Sequence, residues 1–325
     1  MPEMGKQKER ARELPFPSVD RGLLAVDFAC YIVILKSQYS IQKPMFDTKL
    51  NIAIQGIIGS YHYQVAQIIF GKEIGIIECM SFSDLVKSIL KGKADQGVLA
   101  LENSIAGAIL PNYDLMDRNN LRITGEYYLP IVHQLMALKG QTIQDIREVR
   151  SHPMALLQCK VFFEQYPHIK LTEDLDTASV AKWISEEQVS GVAAIAGISA
   201  AEYYSLEVIS DQIQTVQNNV TRFCIVEKDK GQEIRGDFNK ASLKLILTNE
   251  KGSLAKILSL MSENGLDLTK IQSIPIIDQP WNYAFFIDVL FDNLQDYRNT
   301  LVQIVERGIT VKILGEYKNQ KFSHD

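Results

Sequence analysis

Between Leu50 and Leu101 the chain alternates short β-type apolar runs with segments of helical periodicity, and that alternation restricts its fold more than any other feature. "LNIAI" is β-type and a glycine turn follows it. In "YHYQVAQIIFG", Val65, Ile68 and Ile69 fall at helical spacing before Gly71 closes the segment. "IGIIEC" reads as a strand. "SFSDLVKSILKGK" reads as a helix with a serine N-cap and an apolar stripe of Phe82, Leu85, Val86 and Ile89. "DQGVLAL" completes a β-α-β-α-β run, which predicts a mostly parallel sheet with helices on its faces.

"YYLPIVHQLMAL" follows as extended chain with Pro130 as a hinge, and then the alternation resumes. A strand near Glu148–Arg150 leads to a helix from Pro153 to Gln165. "IKLTED", a helix from Thr177 to Glu187, "GVAAIA", a helix near Ser199–Tyr204 and the late strand "TRFCIVE" come next. Two α/β lobes joined by crossing segments make a cleft, and ligands in such sheets bind at the C-terminal ends of strands. The polar, glycine-containing stretch 228–240 reads as a linker. Beyond it the periodicities run β-α-β-β-α-β, the ferredoxin-like arrangement. Its small sheet carries helices on one face, so the other face and one edge are expected to be open for pairing.

A chain of 325 residues is long enough for two domains. Its formal net charge of −5 argues against a nucleic-acid partner, which is met by a basic stripe. The four cysteines, Cys30, Cys79, Cys159 and Cys224, lie far apart with no CxxC pair, so zinc is not expected and reduced, buried thiols are, as in a cytoplasmic protein. Residues 1–48 are expected to be a disordered extension or to precede the true start, with Met45 the better start. The apolar run from Leu23 to Leu35 is shorter than the ~20 residues of a membrane span, is broken by Asp27, and lacks the cleavage site of a signal peptide. No membrane association and no cofactor are expected.

Four polar clusters sit where strands end. "GIIGSYHYQ", Gly56–Gln64, either cradles an anion on backbone N–H groups or is a structural turn. "ENSIAG" ends a buried strand with Glu102, Asn103 and Ser104, which serve as capping groups or as a site. "SHPMALLQC" sets Ser151 as a plausible cap before Pro153, with Gln158 about two turns in. "NNVTRF" places Thr221, Arg222 and Phe223 on a strand with no histidine or carboxylate beside them. A nucleophile elbow is missing and the five histidines show no metal spacing. His168 and His324 are expected in solvent, and His133 in an apolar run is either a core histidine or a site residue.

In this order the clusters resemble prephenate dehydratase of the bacterial type. Its pattern is a glycine-rich turn, E-N-S-x-x-G, S-H-P-x-A-x-x-Q-C and N-N-x-T-R-F, followed by an ACT domain, and here it spans residues 50–317. The resemblance implies a two-lobed, periplasmic-binding-protein-like α/β catalytic domain over 49–228, a linker over 229–240, a ferredoxin-like ACT domain over 241–317 and a tail over 318–325. It also implies the reaction: prephenate loses its ring carboxylate as CO2 and its ring hydroxyl as water, giving phenylpyruvate for phenylalanine biosynthesis. The family gives Thr221 the part of donor to the departing hydroxide. A hydroxyl is a very weak acid, so neighbours must position and polarise it.

By the same resemblance Glu102 and His133 are carried over as catalytic. Ser60, Asn103, Ser104, Ser151 and Gln158 are carried over as donors to the substrate. Arg222 either braces the site or meets a substrate carboxylate. Strong donors on the ring carboxylate would stabilise the ground state, so few lysines are expected in the cleft. The glycine-rich turn departs from the family, with Ile57, Ser60, His62 and Tyr63 at positions where other residues are usual, and Met154 stands where glutamine is common. An L-phenylalanine effector site is expected at Asn249, Gly252, Ser253 and Leu254 together with Gln272 and Ser273. There "GSL" and "QSIP" replace the Gly-Ala-Leu and Glu-Ser-Arg-Pro motifs: Gln272 loses a carboxylate and Ile274 a cation, so either phenylalanine is held by other contacts, chiefly backbone groups around Asn249–Leu254, or feedback is weak. Open ACT edges imply a homodimer or homotetramer. An arogenate or dual-substrate dehydratase and a non-catalytic small-molecule sensor stay open as alternatives.

Overall fold

The computed structural model describes residues 49–231, 237–247, 250–276 and 283–320. The first lobe begins with β1 (Asn51–Gln55), α1 (Tyr61–Phe70), β2 (Gly75–Cys79), α2 (Phe82–Leu90) and β3 (Gln96–Asn103). It continues with β4 (Gly107–Ala108), α3 (Leu110–Arg118) and β5 (Leu121–Pro130). Helices α1 and α2 start where hydroxyl groups satisfy exposed N–H groups: Ser60 accepts from the Tyr63 N–H and Ser81 from the Asp84 N–H. Strands β2, β1 and β3 run parallel, as the alternation predicts.

At Pro130 the chain crosses into a second lobe. Its elements are β6 (Gln134–Ala137), β7 (Glu148–Ser151), α4 (Pro153–Phe163), β8 (Lys170–Glu173), α5 (Thr177–Glu186), β9 (Val192–Ala196), α6 (Ile198–Tyr204) and β10 (Glu207–Ser210). They form a five-stranded sheet ordered β10-β6-β9-β7-β8. A second crossing segment, 211–219, returns the chain to the first lobe as β11 (Val220–Lys228), which slots between β3 and β5, antiparallel to both. The first sheet is therefore mixed rather than mostly parallel. The reason is topological: β5 follows α3 and runs parallel to β3, but β11 returns from the other lobe and enters between them in the opposite direction, without a β-α-β crossover.

The C-terminal unit is β12 (Lys240–Ile246), α7 (Ser253–Glu263), β13 (Asp267–Pro275), β14 (Tyr283–Leu290), α8 (Leu294–Glu306) and β15 (Thr310–Tyr317), the expected β-α-β-β-α-β order. Lys240 already belongs to β12, so the linker ends one residue earlier than its composition implies. Helices α7 and α8 cover one face of this sheet through Leu243, Leu245, Ile257, Leu260, Ile287 and Tyr297.

The other face is not open. Ala284, Phe286, Leu314 and Tyr317 pack with Tyr113, Met116 and Cys224 of the first lobe, including an edge-on Tyr113–Phe286 contact with ring centres 5.3 Å apart. Strand β15 also runs alongside β5, pairing at Gly315 and Ile123. A side chain at Gly315 would lie 2.3 Å from the Ile123 carbonyl oxygen, so this glycine admits the close approach that joins the two sheets. Among the described residues no helix is long and apolar enough to cross a membrane. Cys79, Cys159 and Cys224 are buried and unbridged, and Cys30 lies outside the described residues.

Candidate active site

Strands β3 and β11 end side by side, and their register pairs Asn103 with Thr221 and Glu102 with Arg222. Successive side chains on a strand point to opposite faces. Asn103 and Thr221 therefore share one face, and Glu102 and Arg222 share the other.

The Thr221 Oγ1 accepts a hydrogen bond from Asn103 Nδ2 at 2.9 Å. The orientation of that amide follows from its other end. Asn103 Oδ1 accepts from the backbone N–H groups of Ile105 and Ala106 at 3.0 and 2.9 Å. The NH2 group must then face Thr221 and the Asn219 Oδ1, the latter at 2.6 Å. With a lone pair of Thr221 engaged by a fixed donor, its own proton points elsewhere. Among the described residues that hydroxyl donates to no protein acceptor.

From Asn219 the chain of hydrogen bonds crosses into the second lobe. Asn219 Nδ2 donates to Gln158 Oε1 on α4 at 3.3 Å, and His133 Nε2 lies 2.7 Å from the same oxygen. His133 Nδ1 lies 2.9 Å from the Tyr61 hydroxyl, which is also 2.9 Å from the Val132 carbonyl. Gln158 Oε1 can only accept, so His133 carries its proton on Nε2, and the single Tyr61 proton lies between two acceptors, the Val132 carbonyl and the bare Nδ1. Burial lowers the His133 pKa, partly opposed by the Gln158 hydrogen bond, so the ring is neutral at pH 7. Burial likewise raises the Tyr61 pKa, which keeps that hydroxyl a donor.

Two glycines let the lobes meet around this chain. A Cβ on Gly59 would lie 3.1 Å from the Ala200 Cα, and one on Gly197 would lie 2.8 Å from the Tyr61 ring. The Tyr204 hydroxyl also donates across the divide to the Ile58 carbonyl at 2.8 Å. A cavity of about 500 Å³ lies between the lobes, lined by Tyr61, Val132, Gln134, Ile198 and Gln212 among others. It shares Tyr61 with the hydrogen-bond chain, but Asn103 and Thr221 are not in its wall. Thr221 is only 8% exposed.

Of the residues singled out in the sequence, Thr221, Asn103, Gln158 and His133 are brought into one chain. Others are placed elsewhere. Glu102 points to the back of the sheet and pairs with Lys270 of β13 at 2.6 Å, away from Thr221. Arg222 is also on the back and 3% exposed. It donates to Glu126 at 2.8 Å, to Asp288 at 2.5 Å and to the Tyr317 hydroxyl at 2.7 Å, which makes it a buried brace on the face away from Thr221. Ser151 is neither a cap nor a free donor: it ends β7, is fully buried, and donates to the Ile195 carbonyl at 2.7 Å. The cap of α4 is His152, whose Nδ1 accepts from the Met154 N–H.

Ser60 caps α1 and Ser104 ties the Asn218 carbonyl and the Val220 N–H, so both shape backbone next to the chain without joining it. Met154 is 42% exposed, and Phe223 is buried at 2%. His168 is exposed, and His324 lies outside the described residues. Of the effector positions, Gly252 precedes α7 with φ +80°, Ser253 and Leu254 open that helix, and Gln272 and Ser273 lie on β13. The Gln272 amide donates to the Ser273 carbonyl of its own strand. Asn249 lies outside the described residues. Two members of the chain went unnoticed in the sequence, Asn219 and Tyr61, although both sit inside the quoted clusters. Polar residues flanking the threonine and the glycine turn were the only signal available.

Comparisons with known proteins bear on this arrangement. Residues 52–231 match the family model described as prephenate dehydratase, and residues 241–294 match the ACT domain. An Arabidopsis thaliana protein, arogenate dehydratase/prephenate dehydratase 2, chloroplastic, is 31% identical over 280 residues, covering 83% of this chain and 73% of the relative. The bifunctional chorismate mutase/prephenate dehydratase of Buchnera aphidicola is 30% identical over 279 residues, covering 84% and 72%.

Among solved structures, one described as GqqA, a novel type of quorum quenching acylase, superposes with a TM-score of 0.75 at 24% identity, covering 84% of this chain and 100% of the other. The prephenate dehydratase of Arthrobacter aurescens in complex with L-Phe gives 0.71 at 24% identity, covering 83% and 90%. At those identities the structures establish the fold alone. The family model spans more than half of this chain, and together with the two relatives it assigns the chain to the prephenate dehydratase family, with an ACT domain at its C-terminal end.

Proposed function

We propose that this chain converts prephenate to phenylpyruvate, CO2 and water, with Thr221 as the group that assists departure of the ring hydroxyl. The observation that carries this reading is the 2.9 Å hydrogen bond from Asn103 to Thr221, in an amide orientation that leaves the threonine proton available. In the reaction the ring C–O bond breaks and the Thr221 hydroxyl donates to the leaving oxygen. The electron pair of the ring C–carboxylate bond becomes part of the aromatic ring and CO2 departs. Overall a dianion takes up one proton and becomes a monoanion, and the proton comes from solvent through the hydroxyl. Aromatisation drives the step, so the protein supplies orientation and a polarised donor rather than a strong acid.

Neutral His133 and Gln158 hold the Asn219 end of the chain and so hold the direction in which Asn103 donates. Thr221 is nearly buried and the lobes touch at Gly59 and Gly197, so substrate entry requires the lobes to part. The first crossing segment, after Pro130, and the second, before Val220, are where that motion would hinge.

Arogenate, which carries an amine where prephenate has a keto group, is the alternative substrate, and the Arabidopsis relative carries both names. L-Phenylalanine is the expected effector of the ACT domain. The departures at Gln272 and Ile274 leave backbone groups around Gly252–Leu254 as its main holders. Strand β13 is an outer edge of its sheet, through which a homodimer or homotetramer would form.

The test is spectrophotometric: phenylpyruvate is followed after adding prephenate, with arogenate in parallel and with or without phenylalanine. Thr221→Ala should abolish turnover while prephenate still binds. Wild-type turnover in that variant would remove Thr221 from the mechanism. Binding without turnover in the wild-type chain would instead make it a sensor.

A further inference from the structure

The residues adjoining the proposed catalytic pair face the ACT domain, and they meet it as a charge quartet. On the catalytic sheet Glu102 and Arg222 are cross-strand partners. On the ACT sheet Lys270 and Asp288 are cross-strand partners. The two pairs lie opposite each other with signs reversed. Lys270 meets Glu102 at 2.6 Å and Arg222 meets Asp288 at 2.5 Å.

The Arg222 corner is held further. Glu126 accepts from both Arg222 and Lys240, and Ser242 donates to Asp288. The Lys270 corner lies over the Tyr113 ring, 5.5 Å from its centre. Either corner alone is an ordinary interdomain ion pair. Together they grip neighbouring strands at adjacent positions. Asn103 directly follows Glu102, and Thr221 directly precedes Arg222.

We infer that Lys270 and Asp288 are positioning residues for the dehydration: from the ACT side they fix the register of β3 against β11, and with it the Asn103–Thr221 hydrogen bond. Neighbouring Cα atoms are about 3.8 Å apart, so a shift at Glu102 or Arg222 is transmitted directly to Asn103 or Thr221. A hydrogen bond of 2.9 Å weakens steeply once it lengthens past about 3.5 Å or bends. Reversing the sign at one corner puts like charges face to face and pushes that strand end away. Reversing both members of the Glu102–Lys270 corner restores that attraction but sets like charges beside Arg222 and Asp288, so recovery is partial.

This inference rests on Thr221 being the donor in the proposed reaction, and the experiment separates the two ideas. In the full chain, Glu102→Lys, Lys270→Glu and the double variant are compared by kcat and KM for prephenate. Lys312→Ala is the control, because it breaks a different interdomain contact, to Asp117 on α3, that touches neither catalytic strand. Each single reversal should lower kcat about tenfold or more with KM within about twofold, and the double variant should turn over at least about threefold faster than the slower single. Lys312→Ala should stay within about twofold.

Melting curves identify any variant that fails to fold. In that event Lys270→Met and Asp288→Asn, which remove attraction without adding repulsion, should show the same fall in kcat at unchanged KM. Singles with wild-type kcat, a double variant as slow as the worse single, or a control as slow as the singles would each overturn the inference. An inactive Thr221→Ala beside unaffected quartet variants would sink only the quartet. An active Thr221→Ala would sink the mechanism beneath it.

Discussion

Asn103→Asp tests the proton geometry more sharply than deletion of the threonine, because it changes one donor into an acceptor at nearly constant shape. One carboxylate oxygen can still accept from the Ile105 and Ala106 N–H groups, so the turn after β3 is kept. The other oxygen takes the place of Nδ2, 2.9 Å from Thr221 Oγ1 and 2.6 Å from Asn219 Oδ1. An ionised carboxylate cannot donate. The Thr221 proton therefore turns toward it and away from the leaving hydroxyl.

The loss should match what a positioned proton donor contributes, about 10²–10⁴ in rate, or about 2.7–5.5 kcal/mol of barrier. KM should also rise, because a dianionic substrate meets an added negative charge. The effect has a signature in pH. Protonating the introduced carboxylate restores an O–H donor, so the residual kcat should climb relative to wild type as pH falls toward the carboxylate range, near 4 to 5. The assay is phenylpyruvate formation between pH 5 and 8, with melting curves to confirm the fold. A variant within about tenfold of wild-type kcat at pH 7, or one whose pH profile runs parallel to wild type, would refute the assignment of donor and acceptor around Thr221.

Two further outcomes follow from buried groups. Ser151→Ala removes a hydroxyl that satisfies the Ile195 carbonyl in the second lobe, so it should cost about 1–3 kcal/mol of stability and leave KM for prephenate unchanged; a raised KM at unaltered stability would return Ser151 to the substrate. Burial pushes the His62 pKa down to about 3, so its neutral form contributes stability above the unfolded value of about 6.5. Each pH unit below that should remove about 1.4 kcal/mol until the folded value is reached, and denaturant titrations from pH 7.5 to 5 should show this slope shrinking in His62→Phe.

What the sequence disclosed and what it concealed differ by the range of the interaction. Strands, helices and hydroxyl caps such as Ser60 and Ser81 are specified within a few residues, so their spacing could be read directly. The cap of α4 lies one residue beyond Ser151, because Ser151 and His152 both have side chains that can cap and only the end of β7 decides between them. In the sequence Glu102 and Asn103 stand side by side with no face assigned to either. Strand parity alone says that the two point apart, but which of them faces the cleft depends on the pairing with β11. Arg222 could brace or bind substrate in the sequence because its partners, Glu126, Asp288 and Tyr317, lie 96, 66 and 95 residues away. The covered face of the ACT sheet was concealed for the same reason. A ferredoxin-like pattern leaves a face to be buried, and nothing local to it names Tyr113, Met116 and Cys224 as the cover.

The separation of amides from charges across the β3–β11 pair has a chemical logic. On the back, Arg222, Lys240 and Lys270 are matched by Glu126, Asp288 and Glu102, three cations against three carboxylates. Such a cluster is nearly neutral at a distance, so it holds the strands without projecting a strong positive potential through the sheet. On the front, the groups next to Thr221 are the neutral amides of Asn103, Asn219 and Gln158 and a neutral imidazole. A bare arginine in that position would bind the ring carboxylate of prephenate tightly and resist its loss as uncharged CO2, stabilising the ground state more than the transition state. Oriented amide dipoles avoid that penalty, because they polarise the hydroxyl of Thr221 at short range while leaving the departing carboxylate unclamped. The cleft can therefore speed decarboxylation only if its cations stay on the far side of the sheet. Moving one to the front, for instance by substituting lysine for Asn219, should tighten prephenate binding and slow turnover together.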